Sequence, residues 1–133
     1  STIRDTKEPF YVAEARTWVA PYPDDALAKA KKAYSDAELV GMEAGVVALY
    51  QKCVHLGCRV PWCQSAQWFE CPCHGSKYNR VGEKKGGPAP RGLDRFPVQI
   101  QGGVLLIDTK KPIQGPAIGI NTTGQEAEGP HCA

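Results

Sequence analysis

Apolar positions along this chain come in short runs, most of them strand-length. From Phe10 to Val19 it reads FYVAEARTWV, partly alternating and β-prone, which predicts a strand. The proline-broken stretch APYPDD follows as a turn. Asp24 is placed to cap a helix reaching about Tyr34, with Leu27, Ala30 and Tyr34 spaced along one apolar stripe. Ser35-Asp36-Ala37-Glu38 reads as a capping box for one more short helical turn, which Gly41 would end. Val46 to Gln51 predicts a buried strand and Trp68 to Glu70 a shorter one. Val98 to Gln101, then Gly102-Gly103, then Val104 to Asp108 predicts a β-hairpin. After Lys111 neither period is present, and the chain is expected to be an extended tail on the surface or disordered in part. Many short strands with one short helix predict a mainly β, antiparallel domain.

Length and composition narrow this picture. A chain of 133 residues fits a single domain. Hydrophobic residues at 42% and charged residues at 23% suit an ordinary globular domain. The net charge of +2, with no dense basic run, argues against a nucleic-acid partner. Lys29, Lys31 and Lys32 beside Asp24 and Asp25 read as a solvated helix face. No stretch approaches the roughly 18 apolar residues of a membrane span, and no signal peptide is seen. The abrupt start at Ser1 is read as that of a trimmed fragment, so the missing anchor says nothing about the full protein.

Chemistry concentrates in two segments. One is Cys53-Val54-His55-Leu56-Gly57-Cys58; the other is Cys71-Pro72-Cys73-His74-Gly75-Ser76. The fifteen residues between His55 and Cys71 allow an excursion whose ends return side by side. Two thiolates and two imidazoles can hold zinc, which favours four N/S ligands. The usual zinc knuckle spaces its first two ligands C-x2–4-C, whereas Cys53 and His55 have one residue between them. The same set also suits a binuclear iron–sulfur centre in which one iron takes two Cys and the other two His.

CVHLGC and CPCHGS, followed by Gly87-Pro88-Ala89-Pro90, resemble the Rieske subunit of cytochrome bc-type and bf-type complexes. The resemblance is close from Cys53 to Pro90 and loose in residues 1–45 and after Lys111. It implies an antiparallel β-sandwich of the Rieske fold. A small cluster-binding subdomain would span about 52–92, and the flanking segments would form a base. It implies one [2Fe–2S] cluster, with Cys53 and Cys71 on the inner iron and His55 and His74 on the outer one. Cys58 and Cys73 would form a disulfide holding the loops together, which calls for an oxidising compartment. Ser76 would donate to a bridging sulfide and Tyr78 to the Cys53 sulfur. Gly87, Pro88, Ala89 and Pro90 would cover the cluster, and Leu56 would sit at its exposed tip. Val54 stands where many relatives have Thr, a position outside the ligand set. Cys63 and Cys132 are left over, and a second bridge between them would pin the tail.

The function that follows is one-electron transfer. The domain would take an electron, coupled to a proton, from quinol at the cytochrome b subunit. It would pass the electron to a c-type cytochrome or similar haem acceptor, as part of a quinol–cytochrome c or quinol–plastocyanin oxidoreductase. His55 and His74 would accept the quinol's hydrogen bond and proton. The location implied is the extracytoplasmic side of a membrane, held by an anchor upstream of Ser1. A second reading is the Rieske small subunit of an arsenite-oxidase-like molybdenum enzyme. Trp62, Trp68 and Phe69 are expected to be core rings, not electron relays. His131 is expected to be inert, and Asn121-Thr122-Thr123 fits a weak glycosylation sequon.

Overall fold

The computed structural model describes residues 9–52, 58–73, 75–102 and 104–132. Among the described residues, ten short strands form three antiparallel sheets. In the base, β1 (Phe10–Val12), β2 (Thr17–Pro21), β3 (Val46–Tyr50) and β8 (Arg95–Phe96) pair in that order. The second sheet is the hairpin of β9 (Val98–Gln101) and β10 (Val104–Ile107). The third carries the two cysteine-rich segments and pairs β4 (Trp62–Cys63), β5 (Trp68–Glu70), β6 (Lys77–Tyr78) and β7 (Lys84–Gly86).

The expected strand from Phe10 to Val19 is in fact two. Ala13–Ala15 form a 3-10 turn, Arg16 takes a left-handed φ of 49°, and the chain doubles back so that Phe10 faces Val19. The break falls where Ala13, Glu14 and Ala15 lack the β-branched side chains that favour a pleat. The expected hairpin forms, with Val104 opposite Gln101 and Ile107 opposite Val98.

Among the described residues two α-helices form, α1 (Leu27–Ala33) and α2 (Asp36–Glu43), the second a full helix where one more short turn was expected. Asp24 does not cap α1; it opens a 3-10 turn, Asp24–Ala26, that runs into the helix. Ser35 precedes α2, but its hydroxyl donates to the Glu38 carboxylate at 3.0 Å and caps no backbone amide. Nor does Gly41 stop α2. It sits inside the helix because a Cβ there would meet Val98 Cγ2 at 2.4 Å, so its bare backbone lets α2 press on β9. The stop is Gly45, at φ 93°, whose N–H reaches the Met42 carbonyl at 3.0 Å. Lys29, Lys31 and Lys32 are exposed, as a solvated helix face should be.

The main core joins base to cluster sheet. Tyr22, Ala30, Met42 and Leu49 pack in one cluster with Val60, Phe69, Tyr78 and Leu93. A second cluster lies between the base sheet and the hairpin, around Val19, Val46, Phe96 and Val98. Trp68 and Phe69 are core rings, and Trp62 packs edge-on against Phe69 at 4.9 Å. Burial of this kind supplies most of the driving force for so small a domain.

The tail lies on the surface, with many fixed contacts. The Ile113 amide and carbonyl exchange hydrogen bonds with Arg95 at 2.6 and 3.0 Å, and the Gly92 N–H reaches the Pro116 carbonyl at 2.8 Å. Thr122 is buried. Its amide and hydroxyl donate to the two oxygens of buried Glu83 at 2.9 and 2.6 Å. The same carboxylate accepts from the Tyr34 hydroxyl at 2.5 Å and from Asn79 Nδ2 at 2.9 Å. Burial pushes the Tyr34 phenol well up, and it pushes Tyr22, which donates to Thr122 at 2.6 Å, up to about 12. Buried Arg95 lies over the Tyr34 ring, 5.1 Å from its centroid, and 3.7 Å from the Glu38 carboxylate. One polar knot thus ties the helices, the tail and the cluster sheet together.

Candidate iron–sulfur centre

The second cysteine-rich segment is a closed turn between β5 and β6. The Cys71 amide donates to the Ser76 carbonyl at 2.8 Å, and the Gly75 amide returns to the Cys71 carbonyl at 3.1 Å. Gly75 takes φ 78°, the left-handed conformation that lets the turn reverse. Cys71 is 1% exposed. On either side of the first segment, Lys52 and Arg59 form an antiparallel bridge, and the Val60 amide donates to the Gln51 carbonyl at 2.9 Å. Of the expected ligands, Cys53, His55 and His74 lie outside the described residues, as does Leu56.

A disulfide joins Cys58 to Cys73, linking the two segments. The sulfurs of Cys58, Cys71 and Cys73 all lie within 4.8 Å of one another. Two of them are used by the bridge, so Cys71 supplies the thiol of this trio that can bind metal. Buried, soft and beside the Cys58–Cys73 bridge, it has the chemistry of an iron–sulfur cluster ligand.

The loop at 87–90 packs directly on the second segment. At Gly87, with φ 85°, a Cβ would stand 2.4 Å from Ser76 Cα and 2.7 Å from the Gly75 carbonyl oxygen. Ala89 is buried between exposed Pro88 and Pro90, and its amide donates to the buried Ser76 hydroxyl at 3.1 Å. The serine oxygen thereby accepts from one side and keeps its own proton to donate elsewhere. Tyr78 is fully buried.

Behind the site the expected second bridge forms and is the centre of a clamp on the tail. A second disulfide joins Cys63 to Cys132 across 69 residues of sequence. His131, expected to be inert, stands with Nδ1 at 2.6 Å from one oxygen of buried Glu70, while the Cys132 amide donates to the other at 2.6 Å. The Ser65 hydroxyl donates to the Pro130 carbonyl at 2.6 Å, and a Cβ on Gly129 would strike the Ser65 carbonyl at 2.3 Å. Glu70 immediately precedes Cys71, so the chain end is fastened to the strand that delivers this cysteine. A Glu inside an otherwise apolar strand, WFE, was the available signal: a buried carboxylate requires partners.

The Rieske [2Fe-2S] domain model matches residues 18–97 of this chain. The cytochrome b6-f complex iron-sulfur subunit of Synechococcus sp. (strain JA-3-3Ab) is 39% identical over 84 residues, 61% of this chain and 47% of that subunit. The subunit of the same description from Chlorobaculum tepidum is 34% identical over 76 residues, 56% of this chain and 42% of its own length. The chain thus spans about half or less of the curated relatives it matches. In fold it is similar to the plasma membrane Rieske protein of Synechocystis PCC 6803, with a TM-score of 0.53 at 23% identity over 80% of this chain and 90% of that one. On this match the chain belongs to the Rieske [2Fe–2S] domain family, and its cofactor is a Rieske-type [2Fe–2S] cluster.

Proposed function

We propose that this domain is the one-electron carrier of a cytochrome bc- or bf-type complex, with Cys53, His55, Cys71 and His74 as its cluster ligands. The observation that carries the reading is the Cys58–Cys73 bridge standing beside buried Cys71. It ties together the two segments that carry the proposed ligands. Bound there, the cluster supplies reversible one-electron chemistry at high potential.

The chain's own residues set the conditions. Cys53 and Cys71 give the thiolates, and neutral imidazoles replace the other two, so the centre begins near zero charge instead of about −2. Adding an electron to a neutral site is easier, which places the potential in the upper half of the roughly −150 to +300 mV Rieske range. The hydroxyl proton of Ser76 and the phenol of Tyr78 favour the extra electron density further. As cluster ligands, His55 and His74 would each have a second ring nitrogen able to take a hydrogen bond and a proton from a quinol hydroxyl, while the cluster would supply the one-electron acceptor. The natural partners in this reading are a cytochrome b subunit with its quinol and a c-type or similar haem acceptor. A membrane anchor upstream of Ser1 holds the domain on the extracytoplasmic side. The disulfides suit that side, since such bridges persist in oxidising compartments.

The test is EPR of the reduced holo-protein with and without His55→Cys or His74→Cys. The reading predicts the low average g value of a His-ligated centre in the parent. It also predicts that each variant loses that signature or the cluster itself. A variant that keeps the parent spectrum removes that histidine from the ligand set.

A further inference from the structure

The clamp on the tail gathers a second set of metal-ligating side chains, distinct from the trio of Cys58, Cys71 and Cys73. The sulfurs of Cys63 and Cys132 and a carboxylate oxygen of Glu70 all lie within 4.8 Å of one another. His131 Nδ1 stands 2.6 Å from Glu70 Oε2, which brings a nitrogen donor to the edge of this group. The Glu70 side chain is fully buried, and the His131 ring packs on Trp68 with centroids 5.4 Å apart. Two thiolates, an imidazole and a carboxylate are donors that four-coordinate zinc accepts. A hard cation such as calcium or magnesium wants oxygen donors, and this set offers one carboxylate. While the bridge stands, the two sulfurs are bonded to each other and supply no thiolate.

The clamp does not depend on the bridge alone. The Ser65 hydroxyl donates to the Pro130 carbonyl at 2.6 Å, and the Glu128 amide donates to the Ala66 carbonyl at 3.0 Å. Gln125 Nε2 donates to the Gln67 carbonyl at 2.9 Å, and the Cys132 amide to Glu70 Oε1 at 2.6 Å. These bonds join the chain end to residues 65–70, so they keep the two thiols together when the bridge opens. Cys63 is buried, but Cys132 is exposed, which gives a reducing dithiol a way to the bridge.

We propose that Cys63, Glu70, His131 and Cys132 form a zinc site that becomes available when the Cys63–Cys132 bridge is reduced, so that disulfide and metal are alternative locks on one clamp. A dithiol reductant opens the bridge by thiol–disulfide exchange: its two thiols are oxidised to a disulfide, and Cys63 and Cys132 are each reduced to a thiol. Zinc then binds both sulfurs as thiolates, and two protons are released. Zn–S bonds of about 2.3 Å in a tetrahedron set the sulfurs about 3.8 Å apart. That lies inside the 4.8 Å spread the group already has. Either lock keeps the chain end on Glu70, the residue before Cys71.

The experiment titrates zinc into the holo-protein before and after anaerobic treatment with a dithiol that is then removed, using a chromophoric chelator as competitor. Thiol labelling and mass spectrometry follow the bridge, and EPR follows the cluster. One zinc per chain should bind tightly after reduction, and none should compete with the chelator while the bridge is intact. Losing a ligand should cost at least the roughly 10–100-fold in affinity that losing a ligand's hydrogen-bond partner costs. Cys132→Ser and His131→Ala should each show that loss with an unaltered cluster EPR spectrum. X-ray absorption at the zinc edge should find two sulfurs at about 2.3 Å and two lighter donors at about 2.0–2.2 Å. Zinc should also raise the denaturation midpoint of the reduced protein, as a ligand of the native state does. No tight zinc after reduction, or parental affinity in either variant, overturns the site. So does a shell of three or more sulfurs, which places the ion among Cys58, Cys71 and Cys73 instead. A bridge that opens only as the cluster signal disappears overturns it as well.

Discussion

A hydroxyl has one proton to give and lone pairs to receive, and Ser76 is placed to use both. It accepts the Ala89 amide at 3.1 Å in a fully buried setting, which leaves its own O–H to donate elsewhere. Ser76→Ala should lower the midpoint potential by roughly tens of millivolts, since a donor to sulfur favours the reduced form. Voltammetry of parent and variant checks this, and an unchanged potential removes Ser76 from the tuning set. The same variant strands a buried amide, at a cost of about 1–3 kcal/mol in denaturant unfolding. Gly87→Ala should be costly for a different reason. Its φ of 85° is strained for any side chain, and its Cβ would press into Ser76 Cα at 2.4 Å. Thermal unfolding should drop by several degrees. Ser76 and Gly87 were both legible in the sequence through the motifs they belong to. The pairing of Glu70 with His131 was not, because a carboxylate and an imidazole 61 residues apart carry no local pattern that joins them.

At the scale of elements, the tail acts as a strap. Cross-linking residues 69 apart removes about 4 kcal/mol of chain entropy from the unfolded state in the loop-closure model. Cys132→Ser should therefore lower the unfolding free energy by about 2–4 kcal/mol while the cluster still assembles. Equilibrium denaturation beside the visible spectrum separates the two effects. The knot around Glu83 makes a second prediction. Tyr22 ionises near 10 in the unfolded chain, but burial holds it neutral in the fold up to about 12, and Tyr34 is raised as well. Above pH 10 the unfolded state thus binds fewer protons than the native one. The stability these phenols contribute is complete below that pH and is lost as pH rises toward 12. Denaturant titrations between pH 8 and 11 should show the decline, and Tyr22→Phe should flatten it. Strands with dense β-branched content, such as VVALY, were readable from pattern alone. Two-residue strands such as Trp62–Cys63 and Arg95–Phe96 were not, because pairing partners define them and period does not. Gly41 misled for a related reason: a glycine that ends helices by default is here kept for a close approach to Val98, which only the tertiary fold reveals.

Across the whole molecule, one sheet bears the chemistry and the rest supports it. The base sheet, two helices and hairpin bury the apolar mass, and the tail fastens to the strand before Cys71. The central claim is that two thiolates and two imidazoles hold a high-potential centre whose electron moves with a proton. Redox titration of the holo-protein across pH, followed by EPR, tests it most directly. The account predicts a midpoint in the upper half of the roughly −150 to +300 mV range, level in acid. Above the imidazole pKa of the oxidised form, it should fall by about 59 mV per pH unit for each proton coupled. A pH-independent midpoint near −400 mV, as for a four-cysteine cluster, or a colourless protein that binds zinc instead, would contradict it.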